Sequence, residues 1–151
     1  MEDDLDSLLS IEWLEVDKKK MRDAELKEYG ASYHVTEVYS PPRVTKMAEC
    51  MGMAPGWAFD ISALDPDDGQ PWDFNVESKA RKAMKIIQDK RAILLIGSPM
   101  CTAFSQLQGM WNHKRSPEEN KRLLDHGRRH LEFCLRLYRE QMKNGLYFLH
   151  E

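Results

Sequence analysis

The sequence predicts an α/β domain, a parallel sheet of about four strands with flanking helices and a helical extension in front. Three observations predict it. Short β-rich or apolar runs alternate with segments of helical period. One run, Ala92-Ile93-Leu94-Leu95-Ile96, is continuously apolar, as a strand covered by helices on both faces must be. The helix that follows is punctuated at both ends, by Ser116-Pro117-Glu118-Glu119 and by Asn144-Gly145.

Each element is justified in turn. Residues 5–29 are charge-rich, with apolar Leu8, Leu9, Trp13, Met21 and Leu26 at irregular spacing, and Gly30 is a helix stop. Residues 1–30 are therefore a helical N-terminal extension, solvated or partner-binding, and residues 31–151 are the domain. The run His34-Val35-Thr36-Glu37-Val38-Tyr39 predicts the first strand, ended by Ser40-Pro41-Pro42 because proline cannot continue a ladder. Val44, Met47, Ala48 and Met51 form the stripe of a helix over residues 43–53, closed by Gly52 or Gly56. Trp57 to Ile61 is the second strand, and the acidic loop 65–71 follows. Residues 78–90 give a helix with Ala80, Ala83, Met84, Ile86 and Ile87 inward, then the central apolar strand. The next helix runs from Ser116, its N-cap, to about residue 143, with Leu124, Leu131, Cys134, Leu135, Tyr138 and Met142 inward. Leu146-Tyr147-Phe148-Leu149 starts a fourth strand, and an apolar strand at the C-terminus predicts that the natural domain continues beyond Glu151.

Composition narrows the function classes. With 151 residues, 42 % apolar and 31 % charged, the chain has one domain's worth of core and is not a disordered sequence. Its 22 basic and 25 acidic side chains give a charge of -3, so any nucleic-acid contact must be local. Cys50, Cys101 and Cys134 lack metal-ligand spacing and pair poorly as an odd set, which predicts no metal and a reducing, nuclear or cytoplasmic location. No apolar run reaches the ~20 residues of a membrane helix, so no membrane partner is expected.

In a doubly wound sheet of this Rossmann-like kind, sites form beyond the carboxyl ends of the strands. The residues there are Glu37 to Arg43, Asp60, the loop 97–105 and Glu151, with Asp73 facing the same edge. The loop Gly97-Ser98-Pro99-Met100-Cys101-Thr102-Ala103-Phe104-Ser105 stands out, because a cysteine just past a buried strand projects its thiol into the crevice as a nucleophile. The plainer alternative is a buried structural cysteine, the reading given to Cys50 and Cys134 on inward helix faces.

The loop resembles the proline-cysteine loop of the DNA cytosine-5 methyltransferases, usually Gly-Gly-Pro-Pro-Cys-Gln-Gly-Phe-Ser, with Gly97, Pro99, Cys101, Phe104 and Ser105 in register. The long helix and Tyr147-Phe148-Leu149-His150-Glu151 resemble that family's next block, a strand ending in Glu-Asn-Val. The resemblance implies a truncated class I methyltransferase fold and a chain that is the N-terminal half of such a catalytic domain. It implies Cys101 attacking C6 of a flipped-out cytosine, Glu151 holding N3, and a methyl group passing from S-adenosylmethionine to C5. Tyr39, Ser40, Asp60, Asp73 and Pro99 are the implied cofactor contacts. DNA is the implied partner, held through a C-terminal part not in this sequence. One block departs from the family: Tyr39-Ser40-Pro41-Pro42-Arg43 stands where Phe and Gly-x-Gly are expected, and prolines offer neither N–H groups nor φ freedom.

The resemblance predicts a fragment inactive by itself. The rival expectation is a non-catalytic interaction module derived from the same fold, such as a piece of a mobile-element polyprotein. A third, a different cysteine enzyme, needs a base near Cys101, for which His113, His126 and His130 are candidates, although helix-surface histidines mostly meet only solvent.

Overall fold

The computed structural model describes residues 2–105 and 112–151, and the side chains of residues 14–105 and 113–151. Helix α1 (Glu2–Tyr29) precedes β1 (Tyr33–Val38), α2 (Val44–Cys50), β2 (Pro55–Phe59), α3 (Glu77–Asp89), β3 (Ala92–Gly97), α4 (Pro117–Lys143) and β4 (Tyr147–His150). All four strands pair in parallel, in the order β2-β1-β3-β4. The expected α/β parallel sheet is thus present, in an order compatible with a doubly wound Rossmann-like fold. Among the described residues no helix is long and apolar enough to cross a membrane.

The two faces of the sheet are unequal. Val38, Phe59 and Leu95 point to one side, where Ala83 and Ile87 of α3 and Phe133, Cys134, Leu137 and Tyr138 of α4 close the main core. Val35 and Ile96 point to the other, and there only Ala48 of the short α2 completes a small buried cluster. This alternation is the two-residue period of a strand read against helices of different length. At the edge, β4 leaves Tyr147 56 % and Leu149 48 % exposed.

The described part of helix α1 buries little. From residue 14 onward only Arg22, Leu26 and Tyr29 are half-buried, a stripe at helical spacing confined to its last two turns. Arg22 donates to the Gly52 carbonyl at 2.9 Å, Glu25 lies 3.6 Å from His34, and Tyr29 meets Tyr147 edge-on. Met21, expected among its apolar positions, is 73 % exposed. Leu8, Leu9 and Trp13 fall outside the described side chains.

Punctuation was the most dependable sequence signal. Ser116 accepts from the Glu119 N–H and the Glu119 carboxylate accepts from the Ser116 N–H, the reciprocal capping box, with Pro117 at the first helical position. Gly145 takes the left-handed conformation at φ 68° and Gly30 at φ 58°.

The helix stripes needed correction. Helix α4 buries Gly127, His130, Phe133, Cys134, Leu137, Tyr138 and Gln141, while Leu135 and Met142 are exposed. Two polar residues in the true stripe, His130 and Gln141, hid it; Gln141 is satisfied by the carbonyls of Ala92 and Tyr147 at 3.1 and 2.8 Å. In α2 the buried residues are Thr45 and Ala48, and Val44, Met47 and Met51 face out, because Glu37 turns the helix by binding Thr45. Cys50 follows them onto the exposed side, against expectation, while Cys134 is buried. Strand β2 sits two residues earlier than Trp57–Ile61, since the Asp60 carbonyl already turns the chain by accepting from Ala63.

Candidate functional site at the carboxyl edge of the sheet

The chain leaves β1 for β2 on one side and later enters β3 on the other, so the strand order reverses between β1 and β3. Connections that diverge on opposite faces leave a crevice at their carboxyl ends, and residues 39–43 and 98–105 form its two lips. Ser98 N–H donates to the Val38 carbonyl at 3.0 Å and fixes where the lips part.

The β1 lip is closed on itself. Glu37, 1 % exposed, turns its carboxylate onto the Arg43 and Thr45 N–H groups at 3.2 and 2.8 Å, the Thr45 hydroxyl at 2.7 Å and the Ser40 hydroxyl at 3.2 Å. The amides that could face an incoming ligand therefore serve a carboxylate of the chain. Pro41 and Pro42 add none. Tyr39, two residues before Pro41, is left-handed at φ 62°, a conformation that costs a non-glycine residue about 1 kcal/mol or more. Its surroundings hold it there: its N–H donates to Phe59 at 2.8 Å, its hydroxyl lies 2.8 Å from His130 Nδ1, and its ring meets Phe74 edge-on at 5.0 Å. Burial pushes the Tyr39 phenol far above its ordinary pKa, so it stays protonated.

Beside Tyr39 lies a cavity of about 150 Å³ lined by Asp60, Ile61, Trp72, Asp73, Phe74, Asn75, Ser98, Met100 and His130. Three residues expected at the cofactor, Tyr39, Asp60 and Asp73, thus meet in one place. Ser40 and Pro99 do not line it: Ser40 is buried against Glu37, and Pro99 is buried in the opposite lip. The two acids are already engaged, Asp60 by the Ser62 N–H at 3.0 Å and Asp73 by the Asn75 N–H and carboxamide at 2.9 Å each.

The β3 lip presents Cys101. Gly97 ends the strand, and a Cβ there would overlap the Tyr138 hydroxyl and press on the Cys134 sulfur at 3.0 Å, so only glycine lets α4 approach the strand end. Residues Thr102–Phe104 form a short 3-10 turn that rests on α4 at Gly127, where a Cβ would fall 2.7 Å from that of Ala103. Cys101, the residue that leads into that turn, is exposed, which removes the buried structural alternative for it. The thiol expected to be inert, Cys134, is raised to about 11 by burial. Gly97 pairs with His150, so β4 delivers Glu151 to the same edge. Glu151 N–H donates to the Gly97 carbonyl at 3.0 Å, and its carboxylate accepts from the Ser98 hydroxyl at 3.1 Å.

Measured against S-adenosylmethionine, these residues fit one half only. An aromatic floor of Trp72 and Phe74 with Asp60 at the rim suits a flat base and a diol, and the cavity has room for a ring of that size. The methionine half would have to cross Ser40-Pro41-Pro42, whose neighbouring amides Glu37 occupies. The whole cofactor does not fit, and no step below runs through it.

No family model, curated protein or solved structure matches this chain.

Sequence reasoning named His130 only as a candidate base for Cys101 and discounted it as a helix-surface histidine, and it missed Asn75. His130 is 7 % exposed and central to the crevice, not a solvated helix residue. Its position one turn before Cys134 on the buried stripe was the available signal. Asn75 had none beyond following Asp73 by two.

Proposed function

We propose that this chain is the nucleophile-bearing part of a cytosine-5 methyltransferase-like domain: a site that adds a thiol to C6 of an unstacked pyrimidine and does not complete methyl transfer by itself. One observation carries the reading. Neighbouring parallel strands β3 and β4 end in register, which brings an exposed Cys101 loop and a Ser98-held Glu151 to the same edge of the sheet. A thiolate adding at C6 pushes electrons toward C5 and N3, and a carboxyl group at N3 offsets the charge that develops on the ring. The base must leave a stack to reach the loop, so single-stranded nucleic acid is the better substrate.

Single-stranded DNA containing 5-azacytosine tests this without a methyl donor, because the ring nitrogen at position 5 takes up a proton once sulfur has added at C6. The expected result is a covalent adduct that survives denaturation and is absent from Cys101→Ser. Wild-type protein that forms no adduct, or an adduct retained in Cys101→Ser, overturns the proposal.

A second reading, an interaction module that kept the sheet and gave up the cofactor, draws on two observations: the Glu37-filled lip and the apolar edge strand β4. It predicts no adduct and no binding of S-adenosylmethionine at millimolar concentration by calorimetry, whereas tight binding of that ligand removes it.

A further inference from the structure

Beside the crevice, three ligand-type atoms converge. His126 and His130 stand one turn apart on α4, and their Nε2 atoms lie 3.1 Å from each other. Both face Asn75 Oδ1, His126 at 2.8 Å and His130 at 3.1 Å. The orientation of the carboxamide is fixed from behind, since Asn75 Nδ2 donates to Asp73 Oδ1 at 2.9 Å and turning it over would set oxygen against carboxylate.

Protons cannot satisfy this triangle. Asn75 Oδ1 only accepts, so each of its two contacts needs a hydrogen on the facing Nε2. The contact between the imidazoles needs one of those nitrogens to be bare. Whatever the tautomers or charges, no more than two of the three sides are hydrogen bonds, and the third sets lone pair on lone pair or N–H on N–H. A cation outside the triangle satisfies all three at once, because both bare imidazoles and the amide oxygen then direct lone pairs at one point. The spacing agrees: metal–ligand bonds of about 2.0–2.1 Å at octahedral to tetrahedral angles separate neighbouring donors by about 2.9–3.4 Å.

We propose that His126, His130 and Asn75 bind one divalent transition-metal ion at the mouth of the crevice. Two imidazoles favour zinc, cobalt or nickel over magnesium or calcium. The supporting contacts are those such a site uses: with Nε2 bare, His130 Nδ1–H donates to the Tyr39 hydroxyl at 2.8 Å, which holds the ring in the ligating tautomer. Asp73, bonded to Asn75, supplies a negative charge behind the site, and Arg129 opposes it. Among the described residues no group of three His, Cys, Asp or Glu is placed to hold a metal, so the carboxamide is what completes this set. Asn75 and His130 also line the cavity with Asp60 and Asp73, which leaves the ion's free positions to water or a ligand entering the crevice. The site stands independently of the thiol chemistry.

Calorimetric titration of the full chain with zinc chloride, and with cobalt chloride followed by visible absorption, tests it. Cys50 and Cys101 are exposed, and a free thiol is a zinc ligand by type, so the titrations use the Cys50→Ser, Cys101→Ser double variant as background. One ion per chain is expected, weakened at least about tenfold by His126→Ala and by His130→Ala, and less by Asn75→Ala. His130 is buried and its variant is vulnerable to misfolding; His126 is only half-buried, and its variant keeps the test decisive. Binding unchanged in His126→Ala, or none at about 1 mM metal in the double variant, overturns the proposal.

Discussion

The two lips of the crevice are built on opposite plans. On the β1 and β2 side the acidic and phenolic groups are already engaged: Glu37 fills its own turn, Tyr39 is locked by Phe59 and His130, and the acids bind neighbouring amides. Below that lip the loop between β2 and α3 is pinned by Asp65, wholly buried, whose carboxylate accepts from the Lys79 and Lys82 ammonium groups at 2.7 and 2.6 Å. On the β3 and β4 side the backbone is just as well placed, but Cys101 faces solvent and Glu151 is held by a single hydroxyl. A saturated lip contributes rigidity, and an unsaturated one is where a substrate finds partners. Substitutions on the two sides should accordingly fail in different measurements.

The largest effect belongs to the open side. Cys101→Ser is expected to lower adduct formation with 5-azacytosine DNA by at least about a thousandfold while leaving the melting temperature unchanged, since an exposed thiol contributes little to the core. Glu151→Gln, with the Ser98 hydrogen bond retained, should slow adduct formation by about tenfold to a hundredfold. A substantial loss of stability in Cys101→Ser would erase the contrast between the lips.

On the closed side the expected loss is thermodynamic. Asp65→Ala leaves Lys79, 7 % exposed, with Asp68 alone and should cost about 3 kcal/mol in a denaturant titration. The acid limb follows from the same carboxyl. Burial raises its pKa, but the two ammonium groups outweigh burial and hold it at about 2, below the ordinary 3.8. The stabilisation is therefore complete above pH 3.8 and disappears as pH falls toward 2. Wild-type protein should lose more stability across that window than Asp65→Asn does, and parallel acid limbs would refute the assignment.

How much of this could be read from the sequence follows the range of each signal. Local chemistry was legible: the capping box at Ser116, the left-handed glycines at 30 and 145, and the continuous apolar run that became β3 all lie within a few residues of their cause. The placement of Cys101 and Glu151 on one edge was legible too, because parallel pairing of consecutive βαβ units fixes it. What escaped depends on how side chains turn once the elements pack. Glu37 looked like a strand residue, and although its partners Ser40, Arg43 and Thr45 follow within eight positions, their identities do not show that its carboxylate would take over the turn and roll α2 so that Thr45 faces in. His130 and Gln141 looked polar and outward until the carbonyls and rings of other elements supplied what burial requires.

Against the turn of the β3 lip sits Gly127 of α4, and it separates positioning from chemistry. In Gly127→Ala the new methyl must push Ala103 away, which moves the turn that begins at Cys101 and leaves the sheet alone. A cost of about 1–2 kcal/mol is expected, together with a drop in adduct rate of about tenfold that exceeds any loss in nucleic-acid affinity. Equal losses of rate and affinity would mean that the turn binds the substrate and does not merely aim the sulfur.

The smallest effect is a difference between two ligands. With the base and diol accommodated near Trp72, Phe74 and Asp60 and the amino-acid arm refused by Pro41, Pro42 and the Glu37-bound amides, adenosine should bind weakly and S-adenosylmethionine no more than about threefold better. An added carboxylate and ammonium gain affinity only where free donors and acceptors meet them, and the closed lip has spent its own on Glu37. One Glu37 oxygen accepts from both amides, so Glu37→Ala, which removes it, releases the Arg43 and Thr45 N–H groups together and should widen the gap in favour of S-adenosylmethionine. If the unaltered chain already prefers S-adenosylmethionine by about a hundredfold, the β1 lip opens in solution and the contrast drawn between the two sides is lost.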